Sequence, residues 1–390
     1  LLDLKDPQKI IGRTQTPLLV PQETYEYYGM VPNVIFPSGA YLEKDDLHIY
    51  YGAADTTVCR ATVKLSELIR EMLAPESQLR FERASENPIL SPVSGHEWEN
   101  VAVFNPDALY EDDKIHIIYR AMGNDGTSRF GYATSRDGIH IDERLSEPIY
   151  GPRESFEQKQ KPGNSGCEDA RFTKLGDTYY ICYTAFDGIN PPRVALTSIP
   201  VKDFMDRRFE NFAKPILISA PEIDDKDAAL FPEKIDDQYV FIHRVQPSIH
   251  LNYVKSLSDF DGEHFFVRHP ILSPRINMWD DLKIGLSSTP IKTKKGWLLI
   301  YHGVSSQDHT YRVGAALLDL KRPEKVIGRT RSPLLEPQMP YEKNGLVSNV
   351  IFPCGSVVVK KKLVIYYGAA DRVIGMASME LSQLLEELTS

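Results

Sequence analysis

Seven segments of this sequence end an apolar run on a side chain that can carry charge or a strong hydrogen bond. They are Asn105 in VFNPD, Arg120 in IIYRA, Glu168 and Asp169 in GCEDAR, Arg244 in FIHRV, Lys283 in WDDLKIG, His302 in IYHG and Asp371 in YYGAAD. Carboxyl groups move protons and cations hold anions, so strand ends that brought these residues into one pocket would make a site for both. Each also has a structural role open to it. Asp169 can pair with Arg171, His302 can be a satisfied core group, and Asp371 can accept turn hydrogen bonds. The Asp280–Asp281 pair and the acidic run from Glu222 to Asp225 read as solvated loops. No phosphate loop, zinc signature or Ser/His/Asp elbow is present, and AMGNDG (121–126) lacks the strand-to-helix setting that a phosphate loop needs.

The elements that must position these residues follow from repeats. Residues 1–74 align without a gap to 317–390 at an offset of 316, with 40 of the 74 positions identical: LLDLKDPQKIIGRT returns as LLDLKRPEKVIGRT, NVIFP as NVIFP, YYGAAD as YYGAAD. A shorter signature runs through the whole chain, a proline followed by apolar residues at Pro17, Pro88, Pro148, Pro215, Pro270 and Pro333. Proline lacks the N–H that an inner strand must donate, so each of these segments reads as an outer edge strand. Between them lie short apolar runs bounded by Gly, Asp and Asn, with hairpin turns at Lys174–Asp177 and Lys234–Asp237. An edge strand plus three more, recurring along the chain, is the pattern of an all-β protein built as a β-propeller of four-stranded blades. Helical spacing is confined to SELIREML (66–73) and its copy SQLLEELTS (382–390), each behind a Ser cap. Residues 1–74 therefore read as a duplicate of the last blade and 75–390 as the propeller proper. The edge strand at Pro17–Pro21 either closes the last blade, making residues 33–66 an additional blade, or the copy stays outside a smaller ring.

With 45 basic against 54 acidic residues the net charge is -9, so neither nucleic acid nor an anionic membrane is an expected partner. No run of 18 apolar residues exists, and Leu1 to Arg13 lacks a signal-peptide layout, although the missing Met leaves a removed leader open. Cys59, Cys167, Cys182 and Cys354 show no metal-ligand spacing and read as thiols of a cytoplasmic protein.

The segments NPILSP, VFNPD, IIYRA, EDAR, LFPEK, FIHRV, WDDLKIG, GWLLIYHGV, GAALLDL, NVIFPCG and IYYGAAD occur in the order in which they stand in glycoside hydrolase family 130. From about residue 80 to 390 the chain resembles these mannoside phosphorylases, five-bladed propellers that cleave β-mannosidic bonds with phosphate or, in some branches, water. The resemblance implies a five-bladed core with the N-terminal repeat as a possible sixth blade. It makes Asp169 the general acid, passing its proton through a mannose hydroxyl. It places Asn105, Arg120, Glu168, His250, Tyr311, Phe352 and Asp371 around the sugars, and Lys226, Arg244, Lys283 and His302 around phosphate. No cofactor or metal is implied beyond phosphate as co-substrate; the oligosaccharide is the other partner, and a homo-oligomer stays open. Two departures stand out: Ala170 replaces the motif proline, and Lys226-Asp227 replaces an Arg-Asn pair of several members, keeping a cation but adding a carboxylate. Lysine is a point charge where arginine is a planar fork, which loosens phosphate orientation.

Phosphorolysis suits this residue set chemically. Inverting hydrolysis needs a second carboxylate to activate water. Phosphate is already an anionic nucleophile and needs cations instead. The acid must stay protonated near neutral pH, which a neighbouring Glu168 favours for Asp169. The expected activity is inverting cleavage of β-1,2- or β-1,4-mannosides to α-mannose 1-phosphate. The rivals are a β-mannosidase using water and a non-catalytic glycan-binding propeller.

Overall fold

The computed structural model describes residues 1–14, 18, 19, 21, 23–73 and 77–389. It is mostly β, with 44% of the chain in strands against 9% in helices. Two compact units are distinguished, residues 1–77 with 275–278 and residues 78–274 with 279–390. Among the described residues no helix is long and apolar enough to cross a membrane, and the four cysteines are free.

The larger unit is a succession of antiparallel hairpins. Ala102–Glu111, Lys114–Met122 and Thr127–Ser135 pair in order, with Glu143–Arg144 outermost. Ser165–Leu175, Thr178–Phe186, Arg193–Pro200 and Ile216–Leu217 follow, joined to the first group by a two-residue parallel pairing of Thr127 and Ser128 with Ser165 and Gly166. The third sheet is Asp225–Leu230, Tyr239–Val245, Ser248–Val254 and Pro270–Leu272. The fourth runs Lys283–Leu286, Trp297–Val304, Tyr311–Leu318 and Val326–Arg329. In the fifth, Ile351–Val359, Lys362–Ala369 and Val373–Glu380 take Glu82–Arg83, from the front of the unit, as their outer strand.

The proline segments lie at sheet edges, as their missing N–H requires. Ile216–Leu217 and Pro270–Leu272 end their sheets, and Leu90, Tyr150 and Leu335 make single bridges to Ile374, Phe130 and Val313. The edge strand expected over Pro17–Pro21 falls partly outside the described residues. The turns at 174–177 and 234–237 are hairpins; Gly176, Asp236 and Asp237 have positive φ, the conformation tight turns demand. Helices Leu65–Leu73 and Leu381–Glu387 form where expected, but without serine caps. Ser66 lies inside the first helix, and its N–H and Oγ donate to the Asp45 carboxylate at 2.9 and 2.6 Å.

The first strands of these five groups, Ala102–Glu111, Ser165–Leu175, Asp225–Leu230, Lys283–Leu286 and Ile351–Val359, are mostly buried and are linked by hydrogen bonds from or to side chains. Phe172 N–H donates to Asp107 Oδ2, Thr173 Oγ1 to the Leu230 carbonyl, Arg171 to the Leu286 and Ser287 carbonyls, and Ser356 Oγ to Ser288 Oγ. Residues at the starts of these strands are therefore brought together.

In the smaller unit Ile35–Glu43, Asp46–Ala53 and Thr57–Lys64 form a three-stranded antiparallel sheet. The duplication preserved its internal chemistry: Tyr51 OH donates to the buried Glu26 carboxylate as Tyr367 OH does to Glu342. Its environment is different. Phe36 is 65% exposed where its counterpart Phe352 is 9% exposed. A Cβ on Gly355 would lie 2.5 Å from the Ala108 nitrogen, whereas one on the matching Gly39 would meet nothing within 4 Å. Gly355→Ala should therefore cost about 1–3 kcal/mol by overpacking backbone against backbone, and Gly39→Ala less than about 0.5 kcal/mol. Urea denaturation of the two variants checks this; equal effects would refute the assigned close approach.

Candidate active site

Local backbone shape makes the site. Asn105, Asp169 and Asp227 have φ of 47, 54 and 51°. Each stands where strand register shifts: between Phe104 and Asp107, opposite the break at Cys182/Thr184, and between Lys226 and Ala229. A bulge bends its strand and re-aims one side chain. Asn and Asp enter the left-handed region at the least cost of any residue with a Cβ. Asp371, with φ 51° beside Ala370 at 49°, occupies the tight turn between Lys362–Ala369 and Val373–Glu380.

These positions open on a cavity of about 240 Å³ whose wall holds eleven of the twelve residues singled out in the sequence. Its carboxyl side is organised by Arg120, whose guanidinium lies 4.6 Å over the Phe104 ring and donates from Nε to Ser128 Oγ. Its Nη2 reaches Glu168 Oε1 at 2.7 Å and its Nη1 reaches Asp169 Oδ1 at 3.4 Å. Asn105 Nδ2 donates to the same Asp169 Oδ1 at 2.9 Å. One Asp169 oxygen is thus held by two donors. Burial pushes the Glu168 carboxyl up, against the pull of Arg120 and with the repulsion of Asp169. Asp371 is pushed up to about 6, by burial first, with Asp169 and Glu168 adding to it and Arg120 opposing. Burial beside like charges thus favours the protonated forms of Glu168 and Asp371.

The other side is cationic. Lys226 and Lys283 line it without an ion-pair partner among the described residues, and Lys283 Nζ lies 5.2 Å over the Tyr311 ring. Arg244 Nε is 2.8 Å from Asp227 Oδ2. His302 is buried among these groups, its ring centroid 4.4 Å from that of Phe352 in a tilted contact. Burial, with Arg244, Arg171 and Lys283 adding and only Asp227 opposing, holds its pKa down at about 3. His302 therefore stands in the cavity as a neutral imidazole and not as one of its cations. Asn105 Oδ1 and His302 Nδ1 are buried with no hydrogen-bond partner, as expected of groups that await a ligand.

His250 is the residue that does not reach the cavity wall. In the sheet it is paired opposite His243, its Nε2 turned to the Val245 carbonyl at 3.2 Å, and burial lowers its pKa to about 4. Three other sequence readings are corrected. Arg171 donates to the Asp169 backbone carbonyl, leaving the carboxylate to Asn105 and Arg120. Asp280 is buried, accepting from Tyr301 OH and Arg329, and Asp225 is buried against His243; neither is a solvated loop residue. Gln246, Val347 and Val350 also line the cavity and were missed. Val350 lies within NVIFP and Val347 two residues before it, so the repeated motif was a signal for them; Gln246 follows FIHRV with no signal of its own. Among the described residues no group of three His, Cys, Asp or Glu side chains is placed to hold a metal ion.

Comparison with known proteins places the chain in a family. The sequence profile of glycoside hydrolase family 130, described as beta-1,4-mannooligosaccharide phosphorylase, matches residues 1–73 and 80–390. A 1,2-beta-oligomannan phosphorylase of Thermoanaerobacter sp. (strain X514) is 38% identical over 78% of this chain and 99% of that protein. A beta-1,2-mannobiose phosphorylase of the same organism is 41% identical over 77% of this chain and 97% of that protein. Among solved structures, the beta-1,2-mannobiose phosphorylase of Listeria innocua in complex with beta-1,2-mannobiose superposes with a TM-score of 0.65 at 27% identity, covering 79% of this chain and 99% of that one. The chain belongs to glycoside hydrolase family 130, the mannoside phosphorylase family.

Proposed function

We propose that this chain is an inverting β-mannoside phosphorylase that releases α-mannose 1-phosphate and a shortened saccharide from β-1,2- or β-1,4-linked mannooligosaccharides. One observation carries the reading: an aspartyl group fixed by Asn105 and Arg120 shares a cavity with two ammonium groups, Lys226 and Lys283, that have no ion-pair partner among the described residues. Unpaired cations in a partly buried cavity call for an anionic ligand. Phosphate held there attacks the anomeric carbon, and Asp169 protonates the departing sugar oxygen. Asn105, Arg120, Glu168 and Asp371 hold mannosyl hydroxyls, with Tyr311 and Phe352 as apolar faces for the rings. Arg244 and the neutral His302 add donors to phosphate.

In this reading the five successive sheets of the larger unit are five blades of a propeller, closed by Glu82–Arg83 in the last. Residues 75–390 carry the reaction; residues 1–74 are a second copy of the last blade, and every cavity-lining residue comes from the larger unit.

The test is product analysis on a panel of β-1,2- and β-1,4-mannosides with and without inorganic phosphate. Mannose 1-phosphate that forms only with phosphate is the expected result. Equal turnover to free mannose in phosphate-free buffer would replace the reading with a hydrolase. Tight saccharide binding with no product in either buffer would replace it with a glycan-binding protein.

A further inference from the structure

We propose that Asp227 makes the anion pocket selective for an oxyanion that carries a proton, so that inorganic phosphate is admitted and sulfate is turned away. The inference deepens the phosphorylase reading and rests on it. An anion site is expected to present donors only, and most of this one does: Lys226, Lys283 and the guanidinium of Arg244. Asp227 is the exception. Its side chain lines the same cavity from a left-handed bulge position and is 2% exposed. Burial pushes its carboxyl up, but the charges of Arg244 first, then Arg171 and Lys226, outweigh that and hold it below the ordinary aspartate range. It is therefore an ionised group that can only accept.

Its neighbours balance its charge without satisfying its lone pairs. Arg171 Nη2 stands 3.6 Å from Oδ1 and Arg244 Nε 2.8 Å from Oδ2, while His302 Nε2 is 3.9 Å from Oδ2. The Arg244 contact is an ion pair out of line for a hydrogen bond, and both Asp227 Oδ2 and Arg244 Nε are buried with no hydrogen-bond partner. A native structure keeps such a pair of buried unmet groups chiefly where a ligand completes them.

The chemistry of the ligand follows. Phosphate and sulfate are tetrahedral and nearly equal in size. At neutral pH phosphate retains at least one proton, and sulfate retains none. A P–O–H group donates to the Asp227 carboxylate while the remaining oxygens accept from Lys226, Lys283 and Arg244. Sulfate in the same place sets lone pairs and negative charge against the carboxylate. Sites built around a specific hydrogen bond reject analogues that lack it far more strongly than apolar pockets reject a missing methylene. Arsenate, which shares the protonation of phosphate, belongs with the admitted ions.

The experiment compares the KM for phosphate with the inhibition constant for sulfate on the full chain, with arsenate as a replacement nucleophile. For the wild type we expect arsenate to support cleavage and the sulfate constant to exceed the phosphate KM by at least about tenfold. In Asp227→Asn, whose amide can donate and carries no charge, the ratio should collapse toward one. A wild-type ratio within about twofold overturns the proposal whatever the variant does, so it stays testable should Asp227→Asn fail to fold. A folded Asp227→Asn, judged by its melting curve, that keeps the wild-type ratio overturns it as well. If no β-mannoside yields mannose 1-phosphate, the phosphorylase reading has failed, and calorimetric titration of the two anions decides this inference alone. Phosphate bound in preference to sulfate supports it, and equal binding or none overturns it.

Discussion

Asp169→Asn should lower the rate of mannose 1-phosphate release by a factor of about 10²–10⁴, the usual span for loss of a positioned general acid, with little change in the KM for phosphate. The substitution isolates the proton. Asp169 Oδ1 accepts from Asn105 Nδ2 and Arg120 Nη1, and an asparagine carbonyl oxygen can take both bonds, so side-chain position and the arrangement of Arg120 and Glu168 are kept. What is lost is the acidic proton on the second oxygen, because an amide cannot give one up at neutral pH. Alanine would be a poorer test, since it leaves Arg120 with one carboxylate fewer and shifts the neighbours as well. A control separates acid catalysis from general damage: with a nitrophenyl β-mannoside, whose leaving group departs without protonation, the deficit should shrink. Natural β-mannosides cleaved by Asp169→Asn within about tenfold of the wild-type rate would refute the assignment of the acid.

Parts of this architecture were legible in the sequence because they follow from local covalent constraints. Proline cannot donate to a ladder, so Pro215, Pro270 and their counterparts marked sheet edges without reference to anything distant. Polar residues interrupting apolar runs were readable as cavity candidates: Arg120 stands two residues before the end of Lys114–Met122 and Lys283 opens Lys283–Leu286, and both line the cavity. What could not be read depends on partners far along the chain or on backbone sign. Asp280 looked solvated because Arg329, 49 residues away, was invisible as its partner. Ser66 looked like a cap because Asp45, 21 residues earlier, does that work from across a strand pair. The charge of His302 was not readable in the sequence; its burial among Arg244, Arg171 and Lys283 keeps it neutral. The left-handed backbone at Asn105, Asp169 and Asp227 leaves no trace in the sequence beyond the residue types that tolerate it. Yet that is what turns three side chains into one cavity.

Arg171→Met should destabilise the protein by about 3–5 kcal/mol, the cost of breaking a buried ion pair from one side. Arg171 is 0% exposed. Its Nε and Nη2 donate to the Ser287 and Leu286 carbonyls at 2.7 and 2.8 Å, its Nη1 donates to the Asp169 carbonyl at 2.9 Å, and Nη2 lies 3.6 Å from Asp227. Methionine fills the volume but leaves three buried carbonyls and one buried carboxylate uncompensated. Arg171→Lys should not rescue, because a single ammonium cannot span carbonyls on two strands in a planar fork. Arg171 joins the Asp169 backbone to the Asp227 carboxylate; under the proposed reaction it is a positioning residue, and the folded fraction of the variant should lose turnover more than phosphate affinity. The electrostatic part can be isolated. Combining Arg171→Met with Asp227→Asn removes the stranded charge together with its partner, so the double variant should be less destabilised than the sum of the two single ones. Strict additivity in urea denaturation would show that the two groups do not interact, and would reduce Arg171 to a clamp on three carbonyl oxygens.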